Sequence, residues 1–199
     1  GTAQVQLDTL AHGQATLTQR KFYRVTGGST QNKGVIPDIK LVDIYNEEFG
    51  ERKSKNALKW DTIPTAPFKR AGSTQPYVAK LSQASAQRTL ADSQFKYLEA
   101  RTAINKKSAD QKKVVLDIDQ RRAELMDLEK QTLAVENQRR VATGQVPYAN
   151  WESYQASIDA LVESRAKMKA HLRPALPEEE TFVTEAANVL LDYAKLQGR

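Results

Sequence analysis

Cysteine is absent from the 199 residues. That excludes a disulfide framework, a thiol nucleophile and any zinc site built on sulfur. Histidine is nearly absent. His12 and His171 stand in separate segments, with no Ser or Cys at catalytic spacing. Neither a Ser-His-Asp triad nor a metal site is expected from them. Long apolar runs are also missing, and none approaches the ~18 residues that span a bilayer. The opening residues lack a basic stretch followed by an apolar one, so no signal peptide is read there. The chain has no initiator Met and opens in what reads as the interior of a strand. It is therefore read as a piece of a longer protein. Gly27-Gly28 lacks the Gly-Lys-Ser/Thr ending of a phosphate loop, and no cofactor is expected.

What is present suits a soluble protein on the polar side, with 40% hydrophobic and 27% charged residues. The length allows one good core or two small ones. Net charge is +6 with a pI near 9.4. That balance permits nucleic-acid binding by a basic, non-enzymatic helical module. Against it, the basic residues are interleaved with acids along the helical stretches, which reads as a solvated surface and no nucleic-acid partner.

Taken in order, the chain predicts an α+β protein. Ala3 to Leu7 alternates as a strand, with Gln4 and Gln6 on the polar side. Ala15 to Val25 reads as a second strand, paired antiparallel with the first across the connection Asp8 to Gly13. Ile39 to Ile44 reads as a short extended segment. From Tyr45 to Gly72 the chain becomes a charged strap broken by Pro64 and Pro67, with Trp60, Ile63 and Phe68 as anchors. Beyond about residue 70 helices follow. Val78, Leu81 and Ser85 mark one face, and Leu90, Phe95, Leu98 and Ile104 a second, with a break at Lys106-Lys107-Ser108. Val114-Val115-Leu116 reads as extended. Asp119 is the expected N-cap of a long helix ending near Ala142, with Gly144 just past it. Leu125, Leu128, Thr132 and Val135 give that helix a narrow apolar stripe. Tyr148 to Tyr154 reads as a turn carrying Trp151, and a helix runs from Tyr154 to Leu172. After Pro174 and Pro177, a last helix runs from Glu178, with an acidic first turn, to Leu196. The domain reading is 1–45, a strap over 46–72, and a helical domain over 73–199.

The densest punctuation lies between Phe22 and Ile39. An aromatic strand runs into Gly27-Gly28, then Ser29-Thr30-Gln31-Asn32-Lys33, then Gly34-Val35-Ile36-Pro37-Asp38. Gly27 and Gly28 allow the positive φ of a reversal. Pro37 fixes its own φ and pushes Ile36 towards an extended conformation. The same residues resemble the YY.P.GxSIQxKGIxPDI signature of carboxy-terminal processing proteases. Phe22-Tyr23, Gly27-Gly28-Ser29, Gln31, Lys33-Gly34-Val35 and Pro37-Asp38-Ile39 carry the match, and Thr26 or Val25 stands where the usual Pro would be. Asn56 to Ile63 resembles the NALPWDSI segment of the tail-specific branch, and Glu185 to Leu196 its last helix.

That resemblance implies a serine endopeptidase whose nucleophile is activated by a lysine. Such a lysine must be stripped of its proton to act as base. The family's lysine lies in a GKGTxQ motif. Gly1-Thr2-Ala3-Gln4 aligns with the residues after it, so the lysine and serine would lie upstream of Gly1. Gln4 is then the expected orienter of that lysine, because an amide can both accept and donate. Gly27 to Asp38 would be scaffold. Residues 1–45 would be the last strands of the protease core, and the fragment alone is expected to be inactive. Further implications are substrates with apolar C-termini, a possible adaptor lipoprotein as partner of the helical domain, and a periplasmic location beside the inner membrane.

Overall fold

The computed structural model describes residues 2–9, 13–44, 50, 54–70, 72–173 and 175–198, with the backbone alone for 2–9 and 13–16. His12, Pro174 and most of the charged run 45–53 lie outside the described residues. The chain divides into two compact units, Gly1–Asp38 with Glu47–Thr74, and Ile39–Asn46 with Gln75–Arg199. The architecture is α+β: a two-stranded antiparallel ladder and, among the described residues, five α-helices.

In the first unit, β1 (Thr2–Thr9) pairs with β2 (Gly13–Lys21). Val5 faces Leu17 and Gln4 faces Thr18, so the apolar and polar positions alternate as expected. The ladder slips between Ala3 and Gln4: Ala3 pairs with Arg20, and Gln19 is passed over as a bulge. β2 stops at Lys21 instead of reaching Val25. The reason is the reversal that follows, where Tyr23 bridges back to Ser29 and Arg24 exchanges backbone bonds with Gly27 and Gly28.

The second unit contains α1 (Gln75–Ala91), α2 (Ser93–Asp110), α3 (Ile118–Ala142), α4 (Trp151–Lys167) and α5 (Pro177–Leu196), with a 3-10 turn at Ala170–Leu172. α1 and α2 are separate because Asp92 caps the second, its carboxylate accepting from Gln94 and Phe95. α2 then runs through Lys106-Lys107-Ser108 to Asp110. Lysine is a good helix former, and the expected break is absent. α2 and α3 lie antiparallel. α4 begins earlier than expected, at Trp151, because Asn150 and Ser153 form a reciprocal capping box. It ends at Lys167, and His171 sits exposed on the 3-10 turn.

The long helix is capped by Asp117, not Asp119. Its carboxylate accepts from the amides of Asp119 (3.1 Å) and Gln120 (2.8 Å). Thr143 closes the other end and Gly144 leaves it at φ +71°. Asp117→Ala is expected to cost about 1 kcal/mol, while Asp119→Ala costs a few tenths; thermal melts of the two variants separate them.

The core of this unit is small. Leu81, Phe95, Leu98 and Tyr154 are its buried apolar side chains. Phe95 meets Phe182 edge-on at 6.1 Å, and Tyr77 meets Tyr193 at 5.3 Å. Leu90, expected on the Phe95 face, is 75% exposed. It stands about two and a half turns beyond Leu81, on the opposite side of α1. On α3 the buried positions are Thr132, Glu136 and Arg139, while Leu125 is exposed. The expected stripe therefore packs only over its second half.

Candidate functional site

The first unit holds the loop that the sequence marked out. Gly27 takes φ +87° and Gly34 φ +61°, and Asn32 between them takes φ 59°. Gln31 is 1% exposed and Ser29 is also buried. The Gln31 amide donates to the Ser29 hydroxyl at 3.0 Å. The Lys33 amide donates to the Gln31 carbonyl and that of Gly34 to Thr30, which closes the bend.

The strap is stitched to this loop by its backbone. The Ser29 amide donates to the Asp61 carbonyl (3.0 Å), Ile63 to Gly27 (2.9 Å), and Ala66 to Val25 (2.9 Å). Trp60 adds its indole N–H to the Ser29 carbonyl at 2.8 Å, while the Lys33 ammonium sits 3.7 Å above its ring. Asp61 accepts from Tyr23 (3.1 Å) and pairs with Lys21 (3.1 Å). Lys21 also donates to the Lys59 carbonyl at 2.8 Å. Of the three anchors, Trp60 holds through its ring and Ile63 through its backbone. Phe68 is 43% exposed, with the Arg70 guanidinium 5.9 Å from its ring. The loop and strap form one preorganised element, and among their described residues no titratable group is buried.

Gln4 lies in β1, opposite Thr18, at the register slip. His171 is exposed and far along the chain. Glu178, Glu179 and Glu180 occupy the first turn of α5, where Glu179 accepts from the Leu176 amide at 2.7 Å. That is a helix start.

The second unit carries polar clusters that the sequence did not single out. Arg88 on α1 reaches α5 and forks onto Glu185, with Nη2 to Oε1 at 2.8 Å and Nε to Oε2 at 3.1 Å. Its Nη1 meets Asp192 at 2.6 Å. Burial alone would raise the Glu185 carboxyl, but the hydrogen bonds and charge of Arg88 outweigh it and hold the pKa below the usual carboxylate value. On α3, Glu136 and Arg139 are buried as a pair at 2.6 Å. Arg139 also lies 5.2 Å from the Tyr97 ring on α2. Burial, opposed by Arg101 and helped by Glu136, pushes the Tyr97 phenol above its ordinary range. Arg101 donates to the Tyr154 hydroxyl at 3.0 Å, tying α2 to α4. Asn137 and the backbone of Tyr148 exchange two hydrogen bonds, at 2.9 and 2.7 Å. These groups are each matched to a partner, so they hold helices together and leave no poised acid or base.

A protein-family profile described as the C-terminal domain of tail specific protease matches residues 44–195. The chain belongs to that family. It is also similar to the tail-specific protease of Haemophilus influenzae, 37% identical over 123 residues. That match covers 59% of this chain and 18% of the Haemophilus protein, so the chain spans less than a fifth of the relative it matches. The family profile takes in all five helices and the strap, while the loop 27–38 precedes it. Within a tail-specific protease domain the clusters above make structural sense: a helical unit with a small apolar core is held by the charged Arg88 clasp between α1 and α5 and by the Arg101–Tyr154 hydrogen bond between α2 and α4.

Among the described residues no helix is long and apolar enough to cross a membrane.

Proposed function

We propose that the chain is the C-terminal part of a Ser/Lys tail-specific endopeptidase and that it contributes support, not the reacting groups. The observation that carries this reading is the family match over 44–195, together with the named protease relative. The loop and the strap hydrogen-bonded to it, residues 21–38 and 54–66, serve as scaffold for the back of the protease site. Gln4 orients the lysine that the parent contributes just ahead of Gly1. The parent acts on proteins with apolar C-termini in the periplasm, beside the inner membrane. The helical domain governs substrate access or receives an adaptor lipoprotein.

The 199 residues alone are expected to cleave no peptide bond. Turnover of an unfolded substrate by the purified chain would overturn the reading. In the whole parent, Gln4→Ala is expected to lower kcat about tenfold to a hundredfold, as misplacing a catalytic base does. KM should stay within about twofold, because Gln4 positions the base and does not hold substrate. A change confined to KM would remove Gln4 from that role. A basic interaction module predicts something different: duplex DNA binding that falls steeply with salt on a log–log plot. Little binding at ~0.15 M salt is expected here.

A further inference from the structure

The α2–α3 hairpin is packed at one end and open at the other. Phe95, Leu98, Thr132, Glu136 and Arg139 bury the closed end. At the open end the two helices are joined by the extended residues 111–117. There a groove of about 390 Å³ lies between the last turn of α2 and the first turns of α3. Its apolar lining is Val114, Ile118, Leu125 and Leu128, and Arg121 and Arg122 stand among them. Leu125 is 56% exposed and Ile118 60%, although both face the same concavity. A stripe at this spacing reads as core from sequence, yet among the described residues of this unit nothing covers it.

The charge around the groove decides what fits. Lys106, Lys107, Lys112 and Lys113 flank the link with Asp110 among them, and Arg121 and Arg122 flank its floor. Asp117 is committed to capping α3. Asp119 and Glu124 pair with Arg122 and Arg121 at 3.5 and 3.3 Å. Those pairs are solvent-exposed, so a competing carboxylate can exchange for them at little cost. A concave floor of aliphatic side chains calls for an inserted side chain, not a flat surface. Arginine at the rim favours carboxylates in forked geometry.

We infer that this groove docks an acidic amphipathic segment of a partner polypeptide, with an aliphatic side chain against Leu125 and carboxylates on Arg121 and Arg122. The site is independent of the Ser/Lys reading, since it uses no residue placed in that chemistry. It belongs to the helix-in-groove class of recognition, where apolar anchors give affinity and flanking charges give register. The matched charges also make association fall with salt.

The test uses the 199-residue chain and a labelled amphipathic peptide of Glu, Leu and Ala, against a counterpart with Lys for Glu. Fluorescence anisotropy is expected to show the acidic peptide binding at least tenfold more tightly. Leu125→Asp should reduce that binding at least tenfold while circular dichroism stays unchanged, because Leu125 is already exposed. The double substitution R121E/R122E should reverse the preference towards the Lys peptide. The same reversal at Lys167 and Lys195, on α4 and α5, should change binding less than twofold. Equal affinity for both peptides would overturn the proposal, as would an unchanged affinity in Leu125→Asp. So would an equal loss from K167E/K195E, which would make the attraction one of net charge only. Concentration-dependent dimerisation abolished by Leu125→Asp would assign the groove to a second copy. Partition onto phosphatidylglycerol vesicles without peptide binding would assign it to a membrane. Either outcome overturns the inference.

Discussion

Arg88→Met is expected to destabilise the helical unit by about 2–3 kcal/mol near neutral pH. The estimate follows from what is left behind. Glu185 is 3% exposed and takes three of the four short contacts that Arg88 makes. Removing the guanidinium strands a buried carboxylate, which in a fully enclosed pair costs about 3–5 kcal/mol. The Arg88 side chain is 33% exposed, and solvent at that end discounts the figure. Methionine keeps the stem's packing against α5, so the loss is electrostatic and not a cavity. Urea melts of the two proteins measure the difference. A change under about 0.5 kcal/mol would mean the clasp is a surface pair.

The pH dependence separates the clasp from simple packing. In the wild type the Glu185 carboxyl is held below its unfolded value of 4.5. Its native form therefore binds fewer protons than the unfolded chain as pH falls below that value. The clasp's contribution is fully present above about pH 4.5 and is lost as pH drops through the folded pKa. In Arg88→Met the sign reverses. Burial without a partner raises the carboxyl, and protonation then relieves the strain. The gap between the two proteins should narrow when the melts are repeated at about pH 4. Glu185→Gln should remove most of the pH dependence of the gap.

The clasp also shows where sequence reading stops. Arg88 and Glu185 are 97 residues apart, and each shares its helix with other charged residues. Nothing local distinguishes them from Lys80 or Glu180. Capping chemistry, by contrast, was legible but easily misassigned. Asp117 and Asp119 both precede apolar helical residues, and only geometry shows which carboxylate reaches the N2 and N3 amides. Asn150 with Ser153 carried a readable capping signal that outweighs the turn character of the residues before Trp151. The periodicity of α3 correctly predicted one face. It could not say that only the half near Thr132 finds a partner, because burial depends on where α2 begins at Asp92. Gly27, Gly34 and Pro37 marked the ordered loop unaided, since positive φ and a fixed φ are local properties. That Trp60 and Asp61 complete the loop was legible only as an aromatic in a polar strap.

That loop yields the second large effect. Gly27→Ala is expected to detach the strap, at a cost of about 3 kcal/mol or more. Two terms add. At φ +87° any L side chain is strained, a cost of roughly 1–2 kcal/mol. In addition, a Cβ at Gly27 would lie 2.0 Å from the Ile63 carbonyl oxygen and 3.2 Å from its carbon. Backbone cannot yield there without breaking the Ile63-to-Gly27 hydrogen bond and then the neighbouring Ser29-to-Asp61 bond. Once those open, Trp60 loses its acceptor at Ser29. Hydrogen exchange at the Ile63 and Ser29 amides is expected to accelerate about a hundredfold, with a red shift of Trp60 fluorescence. Gly34→Ala supplies the control. Its φ is +61°, but nothing lies within 4 Å of the added Cβ. The backbone term acts there alone, so about 1 kcal/mol is lost and Ile63 stays protected. Equal effects at the two glycines would mean that the loop is held by its own turns and not by the strap. If the strap holds it, loop and strap fold and unfold as one element. A substitution at Trp60 would then loosen Gly27 to Asp38 as surely as one within the loop, and the scaffold proposed for the back of the protease site would depend on residues that contact no substrate.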